Sequence, residues 1–282
     1  MPELPEVETV RIGLNKLLSP SPLITGGEVL LASAIATGTG DSFLAQLQGQ
    51  SLSSWQRRGK YLLGSLLGGG YLGVHLGMTG RLLVCARSLA VGKHTRVRLF
   101  LADQRELRFE DQRTFGKMWF LPGGIAVERV IPALQSMGAE PLSPEFTADY
   151  LAHKLAKSQR PIKASLLDQK VVAGLGNIYV DEALFVSRIH PATVSKDLTS
   201  AQISQLQSAI IRVLTAGLQY GGTTFSHFQD VNGKVGNYLD RAWVFRRTGQ
   251  GCKVCGTRIQ RLKIAGRSTH VCPTCQLRSP QT

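Results

Sequence analysis

The sequence contains no hydrophobic run long and unbroken enough to cross a bilayer. The nearest candidate, residues 61–80, has no formally charged side chain, but seven glycines interrupt it, three of them consecutive from Gly68 to Gly70. A membrane-spanning helix needs about 20 predominantly apolar residues. Short apolar runs separated by glycines are instead typical of strands joined by a turn. The stretch therefore predicts two strands.

Acidic residues are also scarce. The chain has 19 Asp and Glu against 33 Lys and Arg, a net charge of +14 and a pI near 9.9, and residues 241–282 hold nine Lys or Arg and no acid. A protein this basic usually binds a polyanion, most often nucleic acid. An anionic membrane surface is the weaker alternative. Glu3, Glu6 and Glu8 occupy the region where a secretory signal would be basic and then apolar, so no signal peptide is predicted.

Cysteines are few, and four of the five form two tight pairs, Cys252-x2-Cys255 and Cys272-x2-Cys275, separated by 16 residues. This spacing favours a metal site in a reducing cytoplasm over a disulfide framework. Four thiolates fill the tetrahedral coordination of one zinc ion and leave no open position, which predicts a structural zinc with two knuckles on a small β-hairpin. Cys85 is left over and is predicted to be buried as a small apolar residue.

The segment between the two cysteine pairs is basic. The predicted hairpin therefore presents cations. His270 is a conceivable metal ligand, but the fourth cysteine makes it unnecessary. The basic residues are Arg258, Arg261, Lys263 and Arg267.

The length of 282 residues favours more than one domain. A helix is predicted to end near Leu18. Short apolar or alternating runs separated by turns follow from Gly26 to Leu121, including Val29–Leu31, and predict a β-sandwich or barrel capped by that helix. Helical periodicity then takes over, with Asn177 and Thr199 as predicted N-caps. We place the boundaries at 1–124, 125–240 and 241–282, and expect residues 221–237 to form a mobile glycine-rich loop.

The first residues carry the chemistry. If Met1 is removed, Pro2 offers a secondary amine, which can attack a sugar carbon and form a positively charged iminium. Its reference pKa of about 7.7–8.0 leaves part of it unprotonated near neutral pH. Glu3 and Glu6 follow, three residues apart. An ordinary capped helix start explains the same six residues, because proline and acidic side chains suit a first helical turn.

Two further stretches suggest nucleic-acid contacts. The turn Gly174–Asn177 precedes a predicted helix, whose N-terminus attracts phosphate, and Arg160 and Lys163 lie shortly before it. A plain interhelical turn is the alternative. The basic run from Arg57 to Lys60 leads into a strand and, taken alone, is better explained by a solvated strand end.

Taken together, the motifs resemble the bacterial formamidopyrimidine-DNA glycosylases, base-excision-repair enzymes for oxidised purines. The resemblance extends over nearly the whole chain in the right order. The motifs are Pro2-Glu-Leu-Pro-Glu-Val-Glu-Thr, Arg58-Gly-Lys60-Tyr-Leu, His75-Leu-Gly-Met-Thr-Gly80, Lys93-His94, Asp111-Gln-Arg-Thr-Phe-Gly116, Gly138-x-Glu-Pro-Leu142, Leu167-Asp-Gln, Gly174-Leu-Gly-Asn-Ile-Tyr179 and the four-cysteine finger.

The resemblance implies a fold and a set of catalytic residues. The fold is α+β: a helix-capped β-sandwich, a helical helix–two-turns–helix domain and a zinc-ribbon finger. Pro2 is the implied nucleophile at the sugar C1′, Glu3 the acid that assists base departure, and Glu6 its support. Lys60 assists β-elimination and contacts the backbone, and Arg267 assists δ-elimination.

The resemblance also implies contacts with double-stranded DNA. Lys163 and Asn177 hold phosphates, and three side chains fill the hole that the flipped base leaves in the duplex. An apolar wedge helps to unstack a step, and an arginine can hydrogen-bond the orphaned base. The DNA-binding set is His94, Arg160, Lys163, Asn177 and the hole-filling Met78, Arg113 and Phe115.

The sequence departs from the usual family pattern in three places. The common Lys-His-Asp-His run is Lys93-His94-Thr95-Arg96 here. The basic pair that often follows Val-Glu-Thr is reduced to Arg11-Ile12, and an often basic position after Gly222 is Ser226. The last departure weakens the expectation of loop contacts to the damaged base.

The sequence therefore predicts a monomeric, cytoplasmic DNA glycosylase with abasic-site lyase activity, specific for 8-oxoguanine and formamidopyrimidines. Two alternatives stay open. One is an enzyme for oxidised pyrimidines, against which the Pro2 motif and the Met78, Arg113 and Phe115 set argue. The other is a zinc-ribbon protein that binds nucleic acid without catalysis, for which retention of Met1 would be the sign.

Overall fold

The computed structural model describes residues 1–223 and 236–277, which form two compact units. Unit 1 comprises residues 1–135 and 221–236, and unit 2 comprises residues 136–220 and 237–282. Unit 2 thus includes both the helical and the cysteine-rich regions, while the three-part division stays a prediction. Most of the predicted glycine-rich loop, including Ser226, lies outside the described residues. Within the described residues, no helix is long and apolar enough to cross a bilayer.

Unit 1 is built on two four-stranded antiparallel sheets. Its elements are α1 (Leu4–Leu17), β1 (Ile24–Val29), α2 (Gly40–Leu47), β2 (Leu52–Arg58), β3 (Tyr61–Leu66), β4 (Tyr71–His75), β5 (Gly80–Ala86), β6 (Thr95–Leu101), β7 (Arg105–Asp111), β8 (Lys117–Leu121) and α3 (Val127–Val130). One sheet has the strand order β1-β6-β7-β5, and the other has the order β2-β3-β4-β8. The predicted β-sandwich is confirmed, and residues 61–80 include two strands joined by a turn.

One apolar core joins both sheets to α1. Val7, Val10 and Leu14 form a fully buried stripe on the helix, and strand residues such as Leu62 and Leu99 complete the cluster. Burial of each such side chain contributes about 1.5–3 kcal/mol. The stripe fixes which face of α1 is buried, and so fixes where the helix places the amino terminus.

Three predictions for unit 1 need correction. The strand expected at Val29–Leu31 ends at Val29, because Leu30 N and Leu31 N both donate to the Arg96 carbonyl, which breaks the regular pairing with β6, and Leu30 is half-exposed. Helix α2 was missed, although Thr39 and Ser42 form the capping box that marks its start. Cys85 is half-buried rather than buried, because β5 is an edge strand. Its Sγ lies 4.0 Å from a Glu106 oxygen, and burial raises the pKa of the thiol.

Unit 2 packs five helices with a β-hairpin. Its elements are α4 (Ala148–Leu155), α5 (Ile162–Leu167), α6 (Asn177–Val186), α7 (Ser200–Gln219), α8 (Tyr238–Arg241), β9 (Gln260–Ile264) and β10 (Arg267–Val271). The capping box predicted at Thr199 and Gln202 is confirmed. Gly176, not Asn177, is the N-cap of α6, and Asn177 is its first residue. Eight consecutive residues of α6 are buried, which makes it the central helix of this unit.

Candidate active site and nucleic-acid interface

The amino terminus is held in a buried cluster of unit 1. Pro2 is buried, and Glu3, the N-cap of α1, is almost wholly so. Glu6 Oε2 accepts a hydrogen bond from the Glu3 backbone N at 2.8 Å. The helix start thus fixes the two carboxylates next to Pro2, which is the arrangement that the hexapeptide predicted.

The second Glu6 oxygen holds another segment of the same unit. Oε1 accepts hydrogen bonds from the Thr223 backbone N at 2.6 Å and from the Thr223 hydroxyl at 2.9 Å. Gly222 has φ +80, and a Cβ there would lie 2.8 Å from Glu6 Oε1. Only glycine fits this approach without strain. Glu6 therefore ties the start of α1 to the entrance of the glycine-rich stretch.

Lys60 completes the cluster from the turn between β2 and β3. It is only 7% exposed. Burial lowers the pKa of the terminal amine, here that of Met1; Glu3 and Glu6 oppose the shift, and the charges of Lys60 and Arg113 add to it. A lower pKa enlarges the unprotonated, nucleophilic fraction of an amine near neutral pH.

The same cation affects a neighbouring histidine. Burial, and then the charge of Lys60, lower the pKa of His75 to about 4. Its Nδ1 accepts a hydrogen bond from Gly77 N at 3.2 Å, which fits a neutral ring. Lys60 thus lies near enough to the amino terminus and to His75 to act on both.

The three predicted hole-filling side chains lie on two adjoining loops of unit 1. Phe115 is 54% exposed and Met78 is 37% exposed, both large fractions for apolar side chains. The Arg113 guanidinium lies 5.0 Å from the centre of the Phe115 ring. A Cβ at Gly77, whose φ is +61, would lie 2.6 Å from Gly116 N, so the two loops are in close contact. The loops therefore present an arginine and two apolar groups together; we call them the wedge loops.

Asp111 organises the wedge loops, a role that the sequence analysis missed. Its buried carboxylate accepts hydrogen bonds from Thr79 Oγ1 at 2.5 Å and Arg113 N at 3.2 Å through Oδ1, and from Gly116 N at 2.7 Å through Oδ2. One carboxylate thus spans both loops. The signal was present, because Asp111 opens the motif Asp111–Gly116, but the motif was interpreted only through its exposed members.

His94 adjoins the same loops. Its carbonyl accepts from Asp111 N at 2.9 Å, and its Nδ1 lies 3.4 Å from a guanidinium nitrogen of Arg96. Arg96 also donates from Nε to the Asp111 carbonyl at 2.8 Å. Arg96, one of the departures from the family pattern, therefore braces His94 against the wedge loops.

In unit 2, Asn177 and Lys163 meet at one backbone carbonyl. Asn177 Nδ2 and Lys163 Nζ donate to Ser268 O at 3.1 and 2.9 Å, and Lys163 also pairs with Asp181 at 2.6 Å. The Lys163 ammonium is fully buried. It faces Asp181 and Ser268 and so joins α5 and α6 to the hairpin. A phosphate contact of its own stays a prediction.

The turn before α6 is held by a side chain that was not singled out. Gln169 accepts from Gly174 N at 2.9 Å and donates to the carbonyls of Leu175 and Leu167 at 2.9 and 3.2 Å. Gly174 has φ +76, which favours glycine. The turn is therefore fixed in place ahead of the N-terminus of α6. Arg160 is half-exposed, 3.1 Å from Asp168.

The four paired cysteines come together around the hairpin. Their Sγ atoms all lie within 4.8 Å of one another, at 3.9 Å for Cys252 and Cys275 and 3.5 Å for Cys255 and Cys272. Tetrahedral zinc–thiolate bonds of about 2.3 Å place sulfurs roughly 3.8 Å apart, so the set fits one zinc ion.

His270 is not part of that set. Its Nδ1 lies 3.0 Å from Asp181, in unit 2's buried polar network. Arg267 is exposed at the first position of β10. The hairpin thus separates a buried polar face from an exposed basic one.

Comparisons with known proteins agree with this geometry. Three family models match: the formamidopyrimidine-DNA glycosylase N-terminal domain over residues 1–118, its H2TH domain over 137–229, and the zinc finger found in FPG and IleRS over 249–278. The formamidopyrimidine-DNA glycosylase of Trichormus variabilis is 56% identical, with 98% of this chain and all of that protein covered.

The chain belongs to the formamidopyrimidine-DNA glycosylase family. It is thus a DNA glycosylase with abasic-site lyase activity that serves base-excision repair of oxidised purines, and it carries one structural zinc in its finger.

Solved structures of this family share the whole fold. A variant of the Lactococcus lactis enzyme in complex with DNA containing Fapy-dG is similar with a TM-score of 0.90 and 34% identity, over 98% of this chain and 100% of that one. The MutM (Fpg) protein of Thermus thermophilus is similar with a TM-score of 0.88 and 38% identity, over 99% of this chain and 100% of that one. The wild-type Lactococcus lactis protein has also been crystallised with DNA containing an oxidised pyrimidine, with a TM-score of 0.89 and 35% identity over 98% and 100%.

Proposed function

We propose that the Pro2 nitrogen, freed by removal of Met1, is the nucleophile that attacks C1′ of the damaged nucleotide. The observation that carries this is the buried cluster at the amino terminus, where Pro2 is buried and adjoins Glu3 and Glu6. Burial lowers the pKa of the preceding Met1 amine; Glu3 and Glu6 oppose this shift, and Lys60 adds to it. A secondary amine released next to it at Pro2 enters the same buried surroundings, and its ring fixes its direction.

The first step exchanges two bonds at C1′. The amine lone pair forms the N–C1′ bond, and the glycosidic electron pair leaves with the base. A proton from the Glu3 carboxyl group neutralises the departing base or the opening sugar. Glu6, engaged by Glu3 N and Thr223, acts through position rather than by proton transfer. The attached nitrogen then loses its proton, and its lone pair forms the N=C1′ double bond as the C1′–O4′ bond breaks and O4′ takes up a proton. The product is a ring-opened iminium that joins protein and sugar.

The lyase steps follow from the charge of that iminium. It acidifies C2′, so a proton is lost there and the 3′ phosphate leaves with the C3′–O electron pair; a second elimination releases the 5′ phosphate. We assign Lys60 to the first elimination and the exposed Arg267 to the second. A cation near a departing phosphate stabilises the negative charge that develops on it.

DNA engagement uses exposed groups of both units. Met78, Arg113 and Phe115 fill the hole left by the flipped base, while His94, Arg160 and the turn at Asn177 contact the backbone. The substrate is duplex DNA with an oxidised purine. Oxidised pyrimidines are the second candidate, because the Lactococcus lactis relative has been crystallised with such DNA. We further propose that the protein acts as a cytoplasmic monomer.

Hydride trapping tests the nucleophile. Reduction of the iminium on a lesion-bearing duplex should fix the protein to DNA, and peptide mapping should place the link on Pro2 with Met1 absent. One extra residue before Pro2 should abolish trapping, because an amide nitrogen has no available lone pair, while duplex binding persists. Pro2→Gly should retain some trapping through its primary amine. If extended protein still traps and Lys60→Ala does not, Lys60 is the nucleophile.

A further inference from the structure

Unit 2 has a groove at the carboxyl end of α6, remote from the Asn177 end by about 14 Å of helix. Two open depressions of about 480 and 370 Å³ share Val186 and Arg212. Helix α7 forms one wall, and residues Tyr238 to Lys253 contribute to the other. We call this the α6–α7 groove. It lies wholly within unit 2 and plays no part in the chemistry assigned to Pro2.

The groove is positively charged. Its cations are Arg188, Arg212, Arg241 and Lys253, and among the described residues that line the depressions there is no carboxylate. None of these four cations forms an ion pair with another described residue. Lys253 donates to the Ala242 carbonyl at 2.9 Å, and Arg241 lies 5.2 Å from the Tyr220 ring centre. Lys253 and Arg241 therefore contact neutral groups, and since no ion pair within the described residues neutralises any of the four cations, their charge is available to a bound anion.

Arg188 has a left-handed backbone conformation, which favours glycine over arginine. It has φ +56 directly after the C-cap of α6, where glycine is the usual residue because it lacks a Cβ. A glycine there would relieve strain but remove one of the four cations. Stability alone does not explain an arginine at this position.

The shape and the rings decide which anion fits. A DNA duplex is stiff and convex, so it does not fill a concave depression such as the one lined by Val186 and Ala216. Single strands bind mainly by stacking bases on open aromatic faces. Here the Trp243 ring stacks on Phe185 at 5.7 Å and has the Lys253 ammonium at 5.9 Å, while the Arg241 guanidinium lies 5.2 Å from the centre of the Tyr220 ring, which stays 40% exposed. One open ring offers no platform for successive bases, which favours a peptide over a nucleic acid.

We propose that the α6–α7 groove binds an acidic, partly apolar peptide segment of another protein. Carboxylates of the peptide pair with the arginine guanidinium groups, and its apolar side chains enter the depressions beside Val186. From Ser204 to Tyr220, α7 offers about 24 Å of wall. That length accommodates about seven residues of extended chain.

Fluorescence anisotropy on the full-length, zinc-loaded protein tests this. The probe is a fluorescein-labelled peptide of about seven residues in which glutamate alternates with leucine. Arg212→Glu should weaken its binding by about tenfold or more, whereas Lys196→Glu, the same charge change on an exposed residue outside the groove, should not. Arg188→Gly should weaken peptide binding and raise the Tm of the protein. A higher Tm would show that the loss of binding is not caused by unfolding.

Three comparisons complete the test. Replacing leucine by serine in the peptide should weaken its binding, and a saturating concentration of duplex should leave peptide binding unchanged. The Arg212→Glu variant should form the hydride-trapped complex with DNA as well as the wild type does. Equal weakening by Arg212→Glu and Lys196→Glu, or displacement by duplex, would mean that the peptide merely binds a basic surface. If a single-stranded thymidine oligonucleotide binds in an Arg212-dependent way and the peptide does not, the groove is a nucleic-acid site and the proposal is wrong.

Discussion

Unit 1 buries a charge-matched carboxylate, Glu106, between Arg98 and Arg108, but the carboxylates around the candidate sites of the two units face different partners. In unit 1, Asp111 and Glu6 accept hydrogen bonds from loop backbones and from hydroxyl groups. In unit 2, Asp181 faces a buried ammonium and His270, while Glu182 accepts from three consecutive backbone amides, 243–245, and burial raises its pKa.

The difference separates a reactive region from a supporting one. In unit 1, burial first and the charge of Lys60 second lower the pKa of His75, and burial is likewise the main cause that lowers the pKa of the Met1 amine, with Lys60 adding to it. In unit 2, Lys163 is matched by Asp181 and the thiolates by the metal that they fit. Perturbed ionisable groups concentrate at functional sites, whereas matched buried pairs give a defined geometry.

Loss of zinc should have the largest effect and should affect unit 2 first. Cys272→Ser removes one of four ligands, and a structural zinc contributes about 10 kcal/mol or more to folding of such a site. We expect metal analysis to find one zinc per wild-type chain and much less in the variant. Limited proteolysis should then cleave the finger while unit 1 persists, and duplex binding should be lost.

Cys85→Ser is the matched control, because Cys85 lies outside the four-sulfur cluster. It should retain zinc and duplex binding. A full zinc complement in Cys272→Ser, with normal DNA binding, would contradict the assignment of these ligands.

Breaking the buried ion pair of unit 2 should have the next largest effect. Asp181→Asn leaves the Lys163 ammonium without its counter-charge, and removing one partner of a buried pair costs about 3–5 kcal/mol. Urea unfolding monitored by circular dichroism measures the change. Asp149→Asn, an exposed acid on α4, should change stability by less than about 1 kcal/mol. Equal costs for the two substitutions would show that the pair does not support unit 2.

These predictions rest on features that the sequence made visible to different degrees. The zinc ligands and the amino-terminal cluster could be predicted, because each is encoded by close spacing: two Cys-x2-Cys pairs, and Pro2, Glu3 and Glu6 in one helix start. The β-sandwich and most helices followed from apolar periodicity. The function came from the resemblance, since neither spacing nor composition specifies a damaged base.

The rest depended on long-range contacts. Lys163 meets Asp181 and the carbonyl of Ser268, which lies 105 residues away along the chain, so its burial was not visible locally. Thr223 reaches Glu6 across 217 residues. Asp111 was overlooked because a short carboxylate before a turn also suits a solvent-exposed loop. Helix α2 was missed because strand patterns surround it.

Acidic pH should affect unit 1 through His75. Its pKa is about 4 in the folded chain and 6.5 in the reference state, so between these values the unfolded chain binds more protons. The contribution of His75 to the free energy of unfolding should therefore be complete above pH 6.5. It should decline as the pH falls towards 4, by at most about 3 kcal/mol in total. Urea unfolding at several pH values should show a shallower decline in His75→Asn, whose amide oxygen can still accept from Gly77 N. An unchanged decline would show that His75 does not titrate in this way.

Asp111 offers the smallest but sharpest test of the carboxylate roles. Asp111→Asn replaces one acceptor oxygen with an NH2 group, which then faces a donor of Thr79, Arg113 or Gly116. The unsatisfied donors should lower the free energy of unfolding by about 1–3 kcal/mol, while the fold persists. The wedge loops should then present Arg113 and Phe115 poorly, so base flipping should suffer. Hydride trapping should fall roughly tenfold on a lesion-bearing duplex and little on a duplex with a preformed abasic site, where no base has to leave the stack.

Asp103→Asn, which disrupts an exposed pair with Arg105, is the control and should leave both duplexes equally well trapped. Equal losses on the two duplexes would place Asp111 in the chemistry rather than in the wedge, and the contrast drawn between loop-holding and charge-matching carboxylates would then fail for unit 1.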